Sequence, residues 1–458
     1  MEWHPLWLSF QVAIFATLVA AVIGIALAAL LALKRFPGRE LLDVLVTAPM
    51  ILPPTVLGYY LMVSLGNAGL GPLFEAVFGA RLVFTRTGIV IAASVGSLPF
   101  VVKSARAALE GVDPTLVRAA RTLGATPTRA FFTVQLPLAS AGIGAGLILG
   151  FARALGDFGM TLMVGGNIPG ETRTASLAIY DATQANLPGR AAGMIGCSRR
   201  WRSSRSTPPT ASRGDVVSPE NGASAKNGAS LRVALKKTLD EFTLDVAFEC
   251  PPGFTVLFGP SGAGKSTTLA AIAGLVAPDA GRVALGGDVW FDSAARVDRP
   301  VHLRGVAFVF QSLALFPHLT AVGNVEYGID RQVPRLERRR RAREMLERMR
   351  VGHLAHRRPS TYSGGEAQRV ALARAFARAP ALVLLDEPFS AMDRELAREL
   401  CTDARRAVLD LEIPAILVTH HRNEARLLGD RVVLLERGQV RATGPVAALL
   451  GEPKEAEP

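Results

Sequence analysis

One stretch in the second half of the chain has the residue types and spacing of a phosphate-binding loop. Positions 259 to 267 fit the pattern GxxxxGK[ST] without a mismatch, and its glycines let backbone N–H groups curl around phosphates. Lys265 is expected to reach the β- and γ-phosphates of a nucleotide, and Ser266 to ligate Mg²⁺. The predicted nucleotide-binding residues are Gly259, Pro260, Ser261, Gly262, Ala263, Gly264, Lys265, Ser266 and Thr267.

Two carboxylates follow an apolar run further along the chain. Asp386 and Glu387 come directly after residues 382–385, which read LVLL. Asp386 suits Mg²⁺, directly or through water, and Glu387 suits a general base that polarises the attacking water. Alone, the two acids could form a capping pair; the order of the surrounding motifs favours the catalytic interpretation.

These side chains need strands and helices to bring them together. Phe254–Phe258 is a short apolar run before the loop, and a helix is expected from about Ser266. Ala381–Leu385 and Ala415–Thr419 suit buried parallel strands. Strands alternating with helices predict an α/β domain with a parallel sheet, beginning near Leu231.

A third motif gives the class of ATPase. Residues 362–369 read YSGGEAQR and resemble the signature of ABC ATPases, usually written LSGGQ, with Tyr362 for Leu and Glu366 for Gln. The motif opens a helix predicted over Val370–Arg378, whose first N–H groups face a phosphate. The resemblance implies that this motif contacts ATP held by another ATPase subunit, so that hydrolysis requires a dimer. The signature residues predicted to bind nucleotide are Ser363, Gly364, Gly365 and Glu366.

Further landmarks of the same family appear in order. Gln311, in FVFQS, resembles the glutamine that senses the γ-phosphate and Mg²⁺ and contacts the permease. His420, in LVTHH, resembles the switch histidine that touches the γ-phosphate, and His421 is a weaker candidate. Residues 390–393 resemble the D-loop. Phe242 is the nearest option for an aromatic that stacks on adenine, although a core position is favoured for it.

The resemblance implies a P-loop ATPase of ABC type that binds ATP and Mg²⁺. Its catalytic residues would be Glu387, His420 and Gln311, and its Mg²⁺ ligands Ser266, Gln311 and Asp386. We assign this ATP-binding domain to residues 231–458. Because the chain ends at Pro458, the C-terminal oxyanion-binding domain common in molybdate-type ATPases is expected to be absent.

Apolar residues are concentrated in the first 165 positions and form four candidate membrane spans. Prolines at 49, 53 and 54 interrupt the second span, which favours a helix bundle over a single anchor. The fourth span is uncharged as far as Ala152. A continuation of this span towards Val164 would include the charged residues Arg153 and Asp157. The spans are Leu6–Leu33, Leu41–Leu65, Gly88–Leu109 and a stretch that starts at Leu136.

Basic residues indicate the orientation of these spans. The formal net charge is +12, and Lys and Arg collect after the first span and between the third and fourth. Both places are therefore predicted to be cytoplasmic, with the N-terminus outside. The charge thus favours an inner-membrane, multi-pass protein over a partner of nucleic acid. The three cysteines form no CxxC pair, which excludes a disulfide framework.

The segment before the fourth span resembles the EAA loop of importer permeases. Residues 118–124 read RAARTLG and residues 134–137 read VQLP, with Arg118 in place of the usual Glu. The resemblance implies a short coupling helix that docks on the ATPase beside Gln311, and the charge reversal is expected to weaken docking. An amphipathic helix without a partner is the alternative.

Other stretches of the first half resemble molybdate-importer permeases. They are APMILPPTVLG at 48–58, LGDFGMTL at 155–162, GNIPG at 166–170 and LAIY at 177–180. The resemblance implies ATP-driven import of an oxyanion, with molybdate favoured and a periplasmic oxyanion-binding protein as partner. The alternatives are a sulfate, thiosulfate or tungstate importer, generic packing motifs of the wider class, and a soluble ABC ATPase acting on nucleic acid.

The two halves are joined by residues 198–230, whose Ser, Arg, Pro and Gly predict a flexible linker. The permease half is assigned to residues 1–197, and its last helix is expected to be missing. Importer permeases of this type place an apolar helix soon after Tyr180, but here Arg190–Cys197 leads into SRRWRSSRSTPP. The run Arg190–Cys197 is too short to cross about 30 Å of hydrocarbon, because a helix rises about 1.5 Å per residue. One alternative is therefore a disrupted fusion that retains only ATPase activity. The other is that the fourth span ends early at Arg153 and Asp157 and a re-entrant segment around 155–180 corrects the topology.

Overall fold

The computed structural model describes residues 3–34, 36–67, 69–79, 81–185, 228–239, 242–389 and 394–451. These residues form two compact units. One comprises residues 1–112 and 138–217 and the other residues 113–137 and 218–458, as far as they are described. The segment Asp113–Pro137, between two apolar helices, thus belongs to the same unit as the second half of the chain.

Helices joined by turns and loops make up the described part of the first half, which contains no strand. Helices α1, α5 and the continuous run Pro127–Leu155 are long and apolar enough to cross a membrane. A π-helical turn, Phe131–Gln135, joins α7 to α8 within that run. The helices are α1 (His4–Leu33), α2 (Arg39–Ile51), α3 (Pro54–Leu65), α4 (Gly71–Phe78), α5 (Arg86–Glu110), α6 (Pro114–Thr122), α7 (Pro127–Ala130), α8 (Leu136–Leu155), α9 (Gly159–Gly165) and α10 (Ala175–Gln184).

Two of the predicted spans differ from the helices observed. The second is not one straight helix, because α2 and α3 meet at 116° around Leu52 and Pro53. Proline at position 53 has no N–H to continue the hydrogen-bond ladder, so the chain turns there. The fourth span ends at Leu155 and does not continue to Val164, since Asp157 starts a new helix by accepting the Thr161 N–H at 2.9 Å.

Small residues allow α1 to pack closely against α5. Ala16, Ala20, Gly24 and Ala28 recur every four residues and are buried. A Cβ atom added to Gly24 would lie 3.0 Å from Val101 Cγ1, which leaves no room for a larger residue without a shift. Such small-residue stripes pack transmembrane helices in the absence of a hydrophobic driving force between them.

The second unit is built on one mixed sheet of eleven strands. Its strand order is β6-β5-β4-β1-β2-β11-β10-β3-β9-β8-β7. The strands are β1 (Leu231–Thr238), β2 (Thr243–Cys250), β3 (Gly253–Phe258), β4 (Ala280–Leu285), β5 (Asp288–Asp292), β6 (Val297–Asp298), β7 (Val306–Val309), β8 (Leu382–Asp386), β9 (Pro414–Thr419), β10 (Arg431–Glu436) and β11 (Gln439–Pro445). The sheet is parallel from β7 through β8, β9 and β3 to β10, whereas β1, β2, β4, β5 and β6 pair antiparallel. The prediction of an α/β domain is confirmed, and the antiparallel half is an addition to it.

Seven helices accompany the sheet. They are α11 (Lys265–Ala273), α12 (Ala321–Gly328), α13 (Arg335–Arg348), α14 (Gly364–Phe376), α15 (Arg394–Leu411), α16 (Arg422–Leu428) and α17 (Val446–Leu450), within the described residues. The side chains of β3 alternate between two hydrophobic clusters, with Val256 in one and Leu257 in the other. Because successive residues of a strand point to opposite faces, the central strands are buried on both sides.

Candidate functional site

The phosphate loop lies between β3 and α11, as its sequence predicts. Gly262 and Gly264 have φ of 80° and 94°, which only glycine adopts without strain. A Cβ atom on Gly264 would also lie 2.8 Å from Leu244 Cδ1. Phe242 flanks the same glycine and is half-buried against the core, in agreement with its interpretation as a packing residue.

Lys265 is largely buried at the start of α11. Its ammonium group donates to the backbone oxygens of Gly259, at 2.9 Å, and Pro260, at 2.8 Å. Burial lowers the pKa of Lys265, and the nearby carboxylates of Glu387 and Asp386 oppose that shift. The cation is therefore placed inside the curl of the loop, where phosphates would bind.

Ser266 and Asp386 meet from two different elements. The Ser266 hydroxyl, in the first turn of α11, donates to Asp386 Oδ1 at 2.9 Å, at the end of β8. Burial is the main cause that raises the pKa of Asp386, and Glu387 adds to it. The two oxygens are the hard ligands that Mg²⁺ prefers. Within the described residues, no three His, Cys, Asp or Glu side chains gather into a metal site, so Mg²⁺ would need phosphate oxygens and water as further ligands.

Two of the predicted catalytic residues, Gln311 and His420, converge on the carboxylate of the third, Glu387. The Gln311 amide donates to Glu387 Oε2 at 3.3 Å, and His420 Nδ1 lies 3.0 Å from Glu387 Oε1. Glu387 has φ of 46°, and its backbone N–H donates to Val418 O at 3.0 Å, which links it to the neighbouring strand β9. The ends of β8 and β9 thus present a carboxylate and a histidine side by side.

The turn that carries His420 is fixed by a pair that the sequence motifs did not indicate. The Thr419 hydroxyl lies 2.5 Å from Glu424 Oε2, in the first turn of α16, and it accepts the His421 N–H at 3.0 Å. Glu424 is largely buried, and burial raises its pKa. The rings of His420 and His421 lie 4.0 Å apart.

The signature motif caps α14. Ser363 Oγ accepts the Glu366 N–H at 3.3 Å, and Glu366 Oε2 accepts the Ser363 N–H at 2.8 Å, which is a complete capping box. His353 Nε2 lies 3.2 Å from Glu366 Oε1, and the Ser363 N–H and His353 both lower the pKa of Glu366. The helix begins at Gly364 and ends at Phe376, earlier at both ends than predicted. Nucleotide contacts of Ser363, Gly364, Gly365 and Glu366 stay predictions, and the D-loop at 390–393 lies outside the described residues.

The EAA-like segment packs on the ATPase part of its unit. Ala119 of α6 belongs to the hydrophobic cluster on one face of the sheet, and Arg378 donates to the backbone oxygen of Thr122. Further along, Thr133 Oγ1 lies 2.8 Å from the Tyr327 hydroxyl. His318 Nε2 lies 2.8 Å from Thr133 O.

Arg118, at the charge reversal, is exposed, and the described residues hold no carboxylate within ion-pair distance of it.

Comparison with known proteins agrees with these features. Residues 244–390 match the family model "ABC transporter", and residues 20–197 match "Binding-protein-dependent transport system inner membrane component". The chain is 44% identical over 219 residues to the molybdate/tungstate import ATP-binding protein WtpC of Archaeoglobus fulgidus, covering 48% of this chain and 88% of that protein. The chain therefore belongs to the ABC transporter family, with a membrane part followed by an ATP-binding part.

Another curated relative is the molybdenum import ATP-binding protein ModC of Albidiferax ferrireducens. The identity is 46% over 233 residues, which is 51% of this chain. The chain spans 62% of the length of that relative. Among solved structures, a dimeric bacterial ABC transporter cassette, MJ0796, is 30% identical, with 47% of this chain and 98% of that chain covered and a TM-score of 0.42.

Proposed function

We propose that this chain uses ATP and Mg²⁺ to drive import of an oxyanion, with molybdate as the substrate. The observation that carries the ATPase part is the convergence of Gln311 and His420 on Glu387, beside the Ser266–Asp386 pair. Glu387 would take a proton from the attacking water, and Gln311 and His420 orient the base and contact the γ-phosphate. Lys265 binds the β- and γ-phosphates.

The membrane part supports transport. The resemblance of residues 20–197 to an inner membrane component, and the seating of Thr133 against Tyr327 and His318, support a coupled permease and ATPase. The names of the curated relatives support molybdate or tungstate as cargo. The proposed assembly contains two ATPase domains, from a second copy or another subunit, and a periplasmic binding protein. It lies in the inner membrane with the ATPase domain in the cytoplasm.

Uptake by cells tests this proposal. A host without its own molybdate importer, expressing the full chain, is expected to accumulate labelled molybdate, and the Glu387→Gln variant is not. Labelled sulfate and tungstate in the same cells separate the oxyanions. If sulfate accumulates and molybdate does not, the substrate assignment is wrong, although the ATPase assignment stands.

A second candidate function, ATP hydrolysis without transport, is favoured by the helices after α8. When the bent pair of α2 and α3 is counted as one span, the described residues have four spans. With the N-terminus outside, four crossings return the chain to the outside, and an ATPase in the cytoplasm requires one more. Helices α9 and α10 have seven and ten residues, too few for about 30 Å of hydrocarbon. The predicted loss of the last permease helix falls on residues 186–227, which lie outside the described residues.

Labelling of cysteines in intact cells separates the two candidates. The probes are Cys197 and an introduced cysteine, Ala223→Cys, both tested with a membrane-impermeant thiol reagent. Absence of molybdate uptake, with labelling of Cys197 from outside, supports the disrupted fusion. Cytoplasmic protection of both positions, together with uptake, means that a functional crossing exists.

A further inference from the structure

Two residues beyond Gln311, the backbone is held in a conformation that side chains disfavour. Leu313 and Ala314 have φ of 60° and 45°, in the left-handed region. Two consecutive non-glycine residues in this region are strained, and such strain persists only where the surroundings fix it. The Leu313 N–H donates to Phe310 O at 2.8 Å, so that a tight turn follows Gln311 directly.

Arg374 fixes this turn from a distant part of the sequence. Its guanidinium donates to the backbone oxygens of Ala314, at 2.6 Å, and of Leu313, at 2.7 Å. Arg374 lies in α14, the helix that starts at the signature motif, and only 2% of its surface is exposed. Within the described residues, no carboxylate lies within ion-pair distance of it. Burial lowers the pKa of Arg374 to about 10, so the side chain remains protonated at neutral pH.

A buried cation without a counter-ion is expensive, and an apolar residue would pack at lower cost in free energy. At this position the backbone oxygens of Leu313 and Ala314 accept hydrogen bonds from the cation and offset part of that cost. Because both belong to the strained turn, the energy of burying Arg374 and the energy of straining the turn depend on the same two hydrogen bonds.

Arg374 also contacts Phe316, which packs against Tyr327, the residue that the EAA-like segment contacts. Its guanidinium lies 5.2 Å from the ring centroid of Phe316, and the Phe316 and Tyr327 rings are 4.7 Å apart. The Tyr327 hydroxyl lies 2.8 Å from Thr133 Oγ1, and the Arg129 guanidinium is 4.8 Å from the Tyr327 ring centroid. Direct contacts therefore run without a gap from the turn beside Gln311 to the segment Asp113–Pro137.

We propose that Arg374 is a positioning residue that holds Gln311 against Glu387 only while the EAA-like segment is seated on Tyr327. This inference rests on the proposed ATPase function. The turn has two states, held by Arg374 or relaxed. Displacement of Thr133 shifts Tyr327 and Phe316, weakens the two Arg374 hydrogen bonds and lets the turn relax, which moves Gln311 away from the base.

Relief of the strain by glycine tests the proposal without removing the buried cation. Ala314→Gly makes the left-handed conformation freely accessible, so the turn no longer depends on Arg374. In the full chain in liposomes, we expect the melting temperature to stay near wild type. The kcat for ATP should also stay near wild type, because relief of the strain keeps the turn in the conformation that positions Gln311. Arg374→Lys keeps the charge but reaches one carbonyl only, so in the otherwise wild-type chain it is expected to lower kcat by about 2- to 30-fold, the range of coupling effects of this kind, with KM unchanged.

A double-mutant cycle tests the connection to the EAA-like segment. Tyr327→Phe removes the hydrogen bond to Thr133 and keeps the ring on Phe316, so it should lower kcat in the wild-type chain. In the Ala314→Gly background it should have no effect, because the turn is then held without the help of Arg374. The matched control is Arg296→Gly, which relieves another positive φ, of 54°, in an exposed turn. It should leave kcat unchanged.

The outcomes are distinct. A kcat loss from Tyr327→Phe or Arg374→Lys that persists in full in the Ala314→Gly background would overturn the role of Arg374. Suppression of the Tyr327→Phe loss by Arg296→Gly as well would also overturn it, since the effect would then be general. Absence of ATP hydrolysis by the wild-type chain would instead refute the proposed function.

Discussion

The two units compensate buried charge in different ways. In the ATPase unit, the buried cations Lys265, Arg304 and Arg374 donate mainly to backbone oxygens of loops and helix ends, whereas a fourth buried cation, Arg369, pairs with the carboxylates of Glu399 and Asp403. In the permease unit, Asp157 is the buried carboxylate of the described residues. Arg153, one helical turn earlier, donates to Asp157 Oδ1 at 3.1 Å.

The difference follows from the surroundings. A backbone oxygen carries no net charge, so a cation bound to it still attracts a phosphate, and its position changes with the loop that holds it. A charge within a membrane bundle is costly and pairs with an opposite charge close by. The charge of Lys265 is therefore available to a phosphate, whereas the Arg153–Asp157 pair is neutralised locally.

Replacement of Glu387, the proposed catalytic base, should give the largest effect in the ATPase unit. Glu387→Gln keeps the phosphate loop intact, so ATP binding should persist while the kcat for hydrolysis falls by about 10²–10⁴-fold. Lys265→Ala is the contrasting variant, expected to weaken ATP binding itself. Titration with a fluorescent ATP analogue and steady-state assays measure both. Near wild-type turnover in Glu387→Gln would remove this residue from its assigned role.

Breaking the permease pair should destabilise that unit. Asp157→Ala leaves Arg153 without its partner and also removes the acceptor of the Thr161 N–H, at an expected cost of about 1–3 kcal/mol. Replacing both residues, Arg153→Met with Asp157→Leu, should cost less, because no charge is left unpaired. Thermal unfolding of the detergent-solubilised chain, followed by size-exclusion chromatography, gives the comparison. A double variant less stable than Asp157→Ala contradicts local neutralisation.

Removal of the buried carboxylate of Asp386 should separate stability from function in the ATPase unit. Burial raises the pKa of Asp386, so ionisation of this group destabilises the folded state at neutral pH. Asp386→Asn should therefore raise the melting temperature of the nucleotide-free protein at pH 7, although it removes a Mg²⁺ ligand. The gain should shrink as the pH falls through the raised pKa, because the wild-type carboxyl then takes up its proton. A gain that does not vary with pH would exclude ionisation as the cause.

The smallest effect is expected at Arg118. The side chain is exposed and forms no ion pair among the described residues, so the charge reversal relative to other EAA-like loops costs little. Arg118→Glu should improve, or leave unchanged, the ratio of substrate-stimulated to basal ATPase activity in liposomes. A clear fall in this ratio would show that Arg118 is adapted to a partner of its own.

The sequence was sufficient to place the central strands. Predicted runs 254–258, 381–385 and 415–419 differ by one residue from β3, β8 and β9, because strands buried on both faces are continuous apolar runs. The convergence of Gln311, Glu387 and His420 was also foreseeable, since their motifs follow strands of one sheet. Their catalytic roles stay predictions.

Other features depend on contacts that no local pattern encodes. Arg374 stands in an ordinary helical run, ALARAF, and its importance comes from a turn sixty residues earlier in the chain. The 116° bend between α2 and α3 was visible only as prolines, which mark a break without giving its angle. The single sequence signal for Arg374 was a charge in an otherwise apolar stretch.

The seating of Asp113–Pro137 in the ATPase unit has a consequence for inheritance. A change at Thr133 or Arg129 must be compensated at Tyr327 or His318, about 190 codons downstream, for the two surfaces to stay complementary. With separate genes, recombination or gene transfer could part the co-adapted surfaces. A single reading frame passes both surfaces on together, and it produces them in equal numbers in every cell.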